Sequence, residues 1–241
     1  DHWQCFTLPE AGLGSFLVGE DLEGARIGID PRLVTVNGYA RLAKQLTAAG
    51  GSLVAEEENP IDALWHGERP APPVSRPFRM PDGVAGKSMT DKLAELDDRL
   101  AQAGCDAVVI SRADAVNWLV NIRGTDLSNT PINLLFALYH RENGLILIGD
   151  ITRLAPVMEG DLANNAAIVP LAQFGELIDP RAGYDDGAKV MFDPDSLPKA
   201  LHAPLVNAGI DLAEAPCPVT AMKALKNPTE LAGTRRAHVE D

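Results

Sequence analysis

Between residues 117 and 131 an apolar run turns polar within a few positions: Asn117-Trp118-Leu-Val-Asn121-Ile-Arg123-Gly124-Thr125-Asp126-Leu-Ser-Asn129-Thr130-Pro131. Residues of these types recognise a ligand rather than react with it. Arg123 carries a planar fork of donors that matches a carboxylate. Trp118 offers a flat apolar face with one N–H, and Asn121 and Asp126 supply amide and carboxylate oxygens. Loops at the mouth of an α/β sheet are where such groups meet a ligand. Two readings of Arg123 stay open: it clamps a ligand carboxylate, or it pairs with Asp126 and only holds the loop. Trp118, Asn121, Arg123 and Asp126 are the candidate substrate-facing residues.

The remaining chemistry is weaker. Gly83-Val-Ala-Gly86-Lys87-Ser88 resembles the end of a phosphate loop but has two residues between its glycines where four are needed, with Pro81 in the place of the first glycine. The five histidines, His2, His66, His140, His202 and His238, lie far apart without the spacing of a metal site. Asp97-Asp98 and Asp185-Asp186 are adjacent in sequence. Neighbouring helical positions point about 100° apart, so Asp97-Asp98 reads as an ordinary solvated face. No G-x-S-x-G elbow is present. No catalytic residue, metal ligand or cofactor site is read from the chain.

Composition narrows the partners. The net charge of −13 argues against duplex nucleic acid or an anionic membrane. No apolar run is long enough to span a bilayer. Cys5, Cys105 and Cys217 are odd in number and isolated, which favours a reducing, cytoplasmic compartment.

Periodicity predicts the elements that must carry the loop. Strands are expected at 25–30, 53–56, 106–111, 131–139, 144–148, 167–169 and 190–192. Helices are expected at 35–49, after Asn59, at 88–103, 114–121, 151–165, 174–178 and 196–208. Residues 69–81 hold five prolines and read as an extended linker. The fold class is α/β, with mixed sheets flanked by helices.

One pattern occurs twice. Ile-Gly-Ile-Asp30-Pro31 and Val-Met-Phe-Asp193-Pro194 are each followed by a helical stretch, an Ala-Gly stop, a short strand and a Pro-led turn (Pro60; Pro218). The copies lie about 160 residues apart, too far for a solenoid. They imply two related domains: 1–82, including the linker, and 83–226, with 227–241 beginning something new. The first copy has little chain before its strand, and both ends of the sequence read as cuts, so a piece of a longer protein is expected.

Four stretches resemble a known family. Trp118-Leu-Val-Asn-Ile-Arg-Gly-Thr-Asp126 with Asn129-Thr-Pro131 is similar to the second N-terminal domain of three-domain Xaa-Pro aminopeptidases (aminopeptidase P), whose pattern there is W-L-x-N-[IL]-R-G-[ST]-D. Glu58-Asn-Pro-Ile-Asp-Ala-Leu-Trp65 resembles the end of the first domain. Gly86-Lys-Ser-Met-Thr-Asp-Lys92-Leu93 resembles the start of the second. Ala224-Leu-Lys-Asn227-Pro-Thr-Glu230 through His238 resembles the entry helix of the catalytic domain.

The resemblance implies two tandem creatinase N-terminal-type domains, the first truncated, ahead of a metal-dependent catalytic domain. The parent would remove the N-terminal residue from peptides with proline second, using two divalent ions, manganese by the resemblance, held by ligands beyond this chain. No metal or cofactor is then expected here, and the chain alone is expected to be inactive. Its implied roles are to shape substrate access and to make homodimer contacts, its partners being its own catalytic domain and the peptide. The competing expectation is a protein-binding module of a catalytically dead relative.

Overall fold

The computed structural model describes residues 22–65, 67, 69–73, 75–178 and 187–240. Cys5, His2, His66 and Asp185-Asp186 lie outside them. The chain forms two compact units, dividing at Pro70/Ala71, with residues 198–200 grouped with the first.

In the first unit, β1 (Arg26–Ile29), α1 (Val36–Ala48) and β2 (Ser52–Ala55) form a β-α-β segment with the strands parallel. Thr35 caps α1 by accepting the Gly38 N–H. Leu42 and Leu46 pack with Leu22, Ile27, Ile29 and Leu53 in a small core. The unit closes on α2 (Pro60–Leu64), where Asn59 accepts the Ile61 N–H and Pro60 takes the first turn, whose N–H needs no helical partner.

The second unit opens on β3 (Phe78–Arg79), so the proline-rich stretch ends inside a folded element. Next come α3 (Asp82–Ala85), α4 (Met89–Ala103), β4 (Ala107–Ile110), α5 (Ala113–Leu119), β5 (Ile122–Arg123), β6 (Phe136–His140) and β7 (Gly144–Ile148). Then follow α6 (Ile151–Leu154), α7 (Asp161–Asn165), β8 (Ala166–Val169), α8 (Phe174–Leu177), β9 (Lys189–Phe192), α9 (Lys199–Asn207), β10 (Asp211–Glu214), α10 (Pro218–Ala224) and α11 (Pro228–Glu240). The sheet runs β10-β9-β4-β6-β7-β8; β6 pairs antiparallel with β4 and β7, and the other neighbours pair parallel. Every residue of the central strand β4 is buried, as a strand covered on both faces requires. Leu93, Leu96 and Leu100 of α4, Val116 and Leu119 of α5, and Val219 and Met222 of α10 share one core with Val108, Ile110, Ala137 and Leu147 of the sheet. The expected α/β fold with a mixed, helix-flanked sheet is present in this unit.

Two element predictions need correction, and one element is new. The strand expected over 131–139 starts only at Phe136, because the Asn133 and Leu134 N–H groups donate to the side chains of Asn117 and Asp126. The helix expected over 151–165 breaks into α6, a 3-10 turn and α7, at Pro156 and at Gly160, whose φ is 55°. The short β3–β5 pair was not expected.

The repeated Asp-Pro has one structural job in each unit. Asp30, after β1, accepts the Arg32 N–H at 2.8 Å and the Asn59 side-chain amide at 3.0 Å. Asp193, after β9, accepts the Asp195 N–H at 3.0 Å and the Cys217 N–H at 3.2 Å. Each carboxylate turns the chain two residues on and ties its strand to the start of the Pro-led helix. The Arg32 guanidinium holds Asp30 well below the usual carboxylate range despite burial.

Candidate functional site

Three sequence motifs that are far apart in the chain meet in the second unit: the start of α4, the α5–β5 loop and the start of α11. α4 begins with Ser88, whose hydroxyl accepts the Asp91 N–H at 3.0 Å and donates to the Asp91 carboxylate at 2.7 Å. One turn in, Lys92 is 1% exposed. Its Nζ donates to the Trp118 carbonyl at 2.7 Å and to Asn121 Oδ1 at 2.6 Å, and lies 4.0 Å from the Trp118 ring centroid. Burial pushes the Lys92 ammonium down to about 8, with Glu230 opposing and the Arg123 and Lys87 charges reinforcing the fall.

Asn121 follows α5 with a φ of 54°, a conformation Asn tolerates better than most residues. It is held on several sides: Nδ2 donates to the Lys87 carbonyl at 2.9 Å, Oδ1 accepts from Lys92, and its own carbonyl accepts the Met80 N–H at 2.8 Å. Trp118 is nearly buried, and its Nε1 donates to Glu230 Oε1 at 2.8 Å. Glu230 and Asn227 form a capping box: Asn227 Oδ1 accepts the Glu230 N–H and Glu230 Oε2 accepts the Asn227 N–H, both at 2.9 Å. The Asn227 side chain also donates to the Ala85 carbonyl at 2.8 Å.

Asp126 does not pair with Arg123. Its Oδ1 accepts from Ser75 Oγ and from Arg153 Nη2, and its Oδ2 accepts the Leu134 N–H at 2.8 Å. Burial alone would raise its pKa, but these bonds, led by Arg153, outweigh that and lower it. The bracing pair that sequence proximity suggested is therefore made by Arg153, 27 residues further on. Arg123 Nη1 donates to the Asn117 and Ile122 carbonyls at 3.1 and 2.7 Å. Among the described residues Arg123 forms no salt bridge, so half-buried positive charge remains on the loop. Gly124 is dictated by packing: a Cβ there would lie 2.1 Å from Asn133 Oδ1.

The structure thus brings Trp118, Asn121 and Arg123 together and places Asp126 in a separate brace. Sequence reasoning missed Lys92, Glu230 and Arg153 as members of these networks. Among the described residues no group of three or more His, Cys, Asp or Glu could hold a metal ion. These residues do not fit a two-metal site. No helix among them is long and apolar enough to cross a membrane.

Residues 68–230 match the Creatinase/Prolidase N-terminal domain. The chain belongs to that family. Among curated creatinase/prolidase-type relatives, the "Probable Xaa-Pro aminopeptidase P" of Penicillium rubens is 34% identical over 99% of this chain. Its Aspergillus niger counterpart is 34% identical over 92%. The chain spans 38% and 37% of those two proteins. The crystal structure of the X-prolyl aminopeptidase of Caenorhabditis elegans superposes with a TM-score of 0.80 at 24% identity, covering 94% of this chain and 37% of that one. That likeness establishes a shared fold.

Proposed function

We propose that this chain is the non-catalytic N-terminal region of a metal-dependent Xaa-Pro aminopeptidase. The observation that carries the reading is the similarity to aminopeptidase P over 99% of this chain and only 38% of the relative. The chemistry then belongs to the remaining part of the parent, with two divalent ions, manganese by resemblance. The worm relative is described as a cytosolic enzyme with a di-nuclear active site, which supports a metal pair and a cytoplasmic location for this parent as well. Residues 22–65 are then the later part of a first domain of the same type as the second. The shared role of Asp30 and Asp193 supports that pairing. Homodimer formation follows from the family resemblance.

In this reading the Trp118–Arg123 loop forms a wall that limits access to the catalytic centre, with Arg123 facing the peptide. The support is physical: Arg123 is anchored by two backbone carbonyls and forms no salt bridge among the described residues. Replacing Arg123 with Ala in the full-length protein should lower kcat/KM on an Xaa-Pro peptide by about tenfold or more. An unchanged kcat/KM removes the loop from the substrate path.

A further inference from the structure

Lys92 is an ammonium sealed in an apolar core, and it sits where three chain segments join. It grips the loop from below through the Trp118 carbonyl and Asn121 Oδ1, and it faces the Trp118 ring at 4.0 Å. The same ring points its N–H at Glu230 Oε1. A cation over an indole is attracted to the negative π-face. By drawing electron density from the ring it also makes the N–H a stronger donor to a carboxylate, so the two contacts strengthen one another. Glu230 passes this grip to the helix, because its second oxygen and its own N–H close the capping box with Asn227. The docking is close: a Cβ on Gly86, at a φ of 68°, would lie 2.5 Å from Asn227 Oδ1.

We propose that Lys92 is a positioning residue whose positive charge, acting through the Trp118 ring, fixes Glu230 and so the first turn of α11, and that loss of this charge frees the turn. The charged groups facing Lys92 are Glu230 from α11, Arg123 from the loop and Lys87 from the segment before α4. Lys87 is itself paired with Glu95 at 2.5 Å. Glu230 is therefore the counter-charge in this joint, and its removal should make the Lys92 proton easier to lose. Any bearing on catalysis rests on the function proposed above, in which α11 opens the catalytic domain; the joint itself does not.

The test uses full-length protein labelled with 5-fluorotryptophan, the Trp118 signal being identified by its loss in Trp118→Phe. In the unsubstituted protein that signal should shift with a midpoint near pH 8. In Lys92→Arg and Lys92→Met it should stay flat, since neither side chain titrates there. In Glu230→Gln the midpoint should fall. Amide exchange of Glu230 and Leu231, which donate to Asn227, should be about tenfold faster in Lys92→Met than in Lys92→Arg. The unsubstituted protein should follow the Arg variant below pH 8 and drift toward the Met variant above it. A Trp118 signal that does not move between about pH 6 and about pH 10 overturns the proposal, as does equal exchange in the Arg and Met variants. Should Lys92→Met fail to fold, the titration of the unsubstituted protein and the Arg comparison still decide. Neither readout involves peptide hydrolysis. A negative result leaves the aminopeptidase reading standing, and an inactive parent leaves the joint standing.

Discussion

The Trp118 indole N–H donates to the Glu230 carboxylate at 2.8 Å across 112 residues of chain. This bond joins two motifs that the sequence presents as separate: the loop pattern around Arg123 and the helix start at Asn227. It makes α11 part of the second unit's packing, anchored at its first turn, where a carboxylate also complements the helix dipole.

Substituting Trp118 with Phe keeps most of the ring and removes only the donor. A hydrogen bond to a charged group contributes about 1.5–3 kcal/mol, so a loss in that range is expected by urea unfolding. Because packing also changes, the decisive quantity is the coupling in a cycle with Glu230→Gln. A coupling of about 1 kcal/mol or more is expected, and a value near zero denies the contact.

Asp126→Asn leaves Arg153 facing an uncharged amide, in a pair whose side chains are 0% and 18% exposed. Breaking such a pair costs roughly 3 kcal/mol. The pH dependence has a fixed sign. The folded Asp126 pKa is lowered, so its stabilisation is present above the unfolded value near 4 and is lost as pH falls through the folded value. The gap in thermal midpoint between the unsubstituted protein and Asp126→Asn should hold from neutral pH down to about pH 5 and close in stronger acid.

Gly124→Ala should destabilise by about 1–3 kcal/mol through overpacking, because its methyl group meets the Asn133 amide. Adding Asn133→Ala removes the obstruction, so the double variant should lose less than the two single losses combined. Strict additivity in calorimetric melts would deny the clash.

Lys92 gives a second pH signature, of the same sign but in an alkaline window. Its folded pKa is lowered from 10.5 to about 8 by burial. Between those values the unfolded chain holds more protons, so the stability contributed by this residue rises with pH. The unsubstituted protein should gain on Lys92→Met as pH climbs from about 8 toward 10, by at most roughly 3 kcal/mol. A flat difference in chemical unfolding across that window would show that Lys92 keeps its ordinary pKa.

Local signals carried much of the fold. Asn59, Ser88 and Gly104 terminate helices as side-chain chemistry and backbone freedom require, and the Glu142-Asn143-Gly144 turn joins β6 to β7. Pro156 and Gly160 break the helix expected over 151–165 because one lacks an N–H and the other takes a positive φ. The two-residue strands β3 and β5 are too short to show a period. At the site, closeness in sequence suggested a partner for Arg123 that the structure does not give it. Arg123 and Asp126 are neighbours in sequence, yet Asp126 is satisfied by Arg153 and by Ser75 from the proline-rich stretch. The links from Lys92 to Trp118 and from Trp118 to Glu230 are purely tertiary, and neither spacing nor residue type announces them.

The central claim is that these residues frame a reaction carried out elsewhere in the parent. It is tested most directly by assaying an Xaa-Pro peptide with manganese, using the full-length protein and the 241-residue chain side by side. Hydrolysis by the first and none by the second is the predicted result. Hydrolysis by the 241-residue chain, or a full-length protein that leaves the peptide intact with metal supplied, would contradict it.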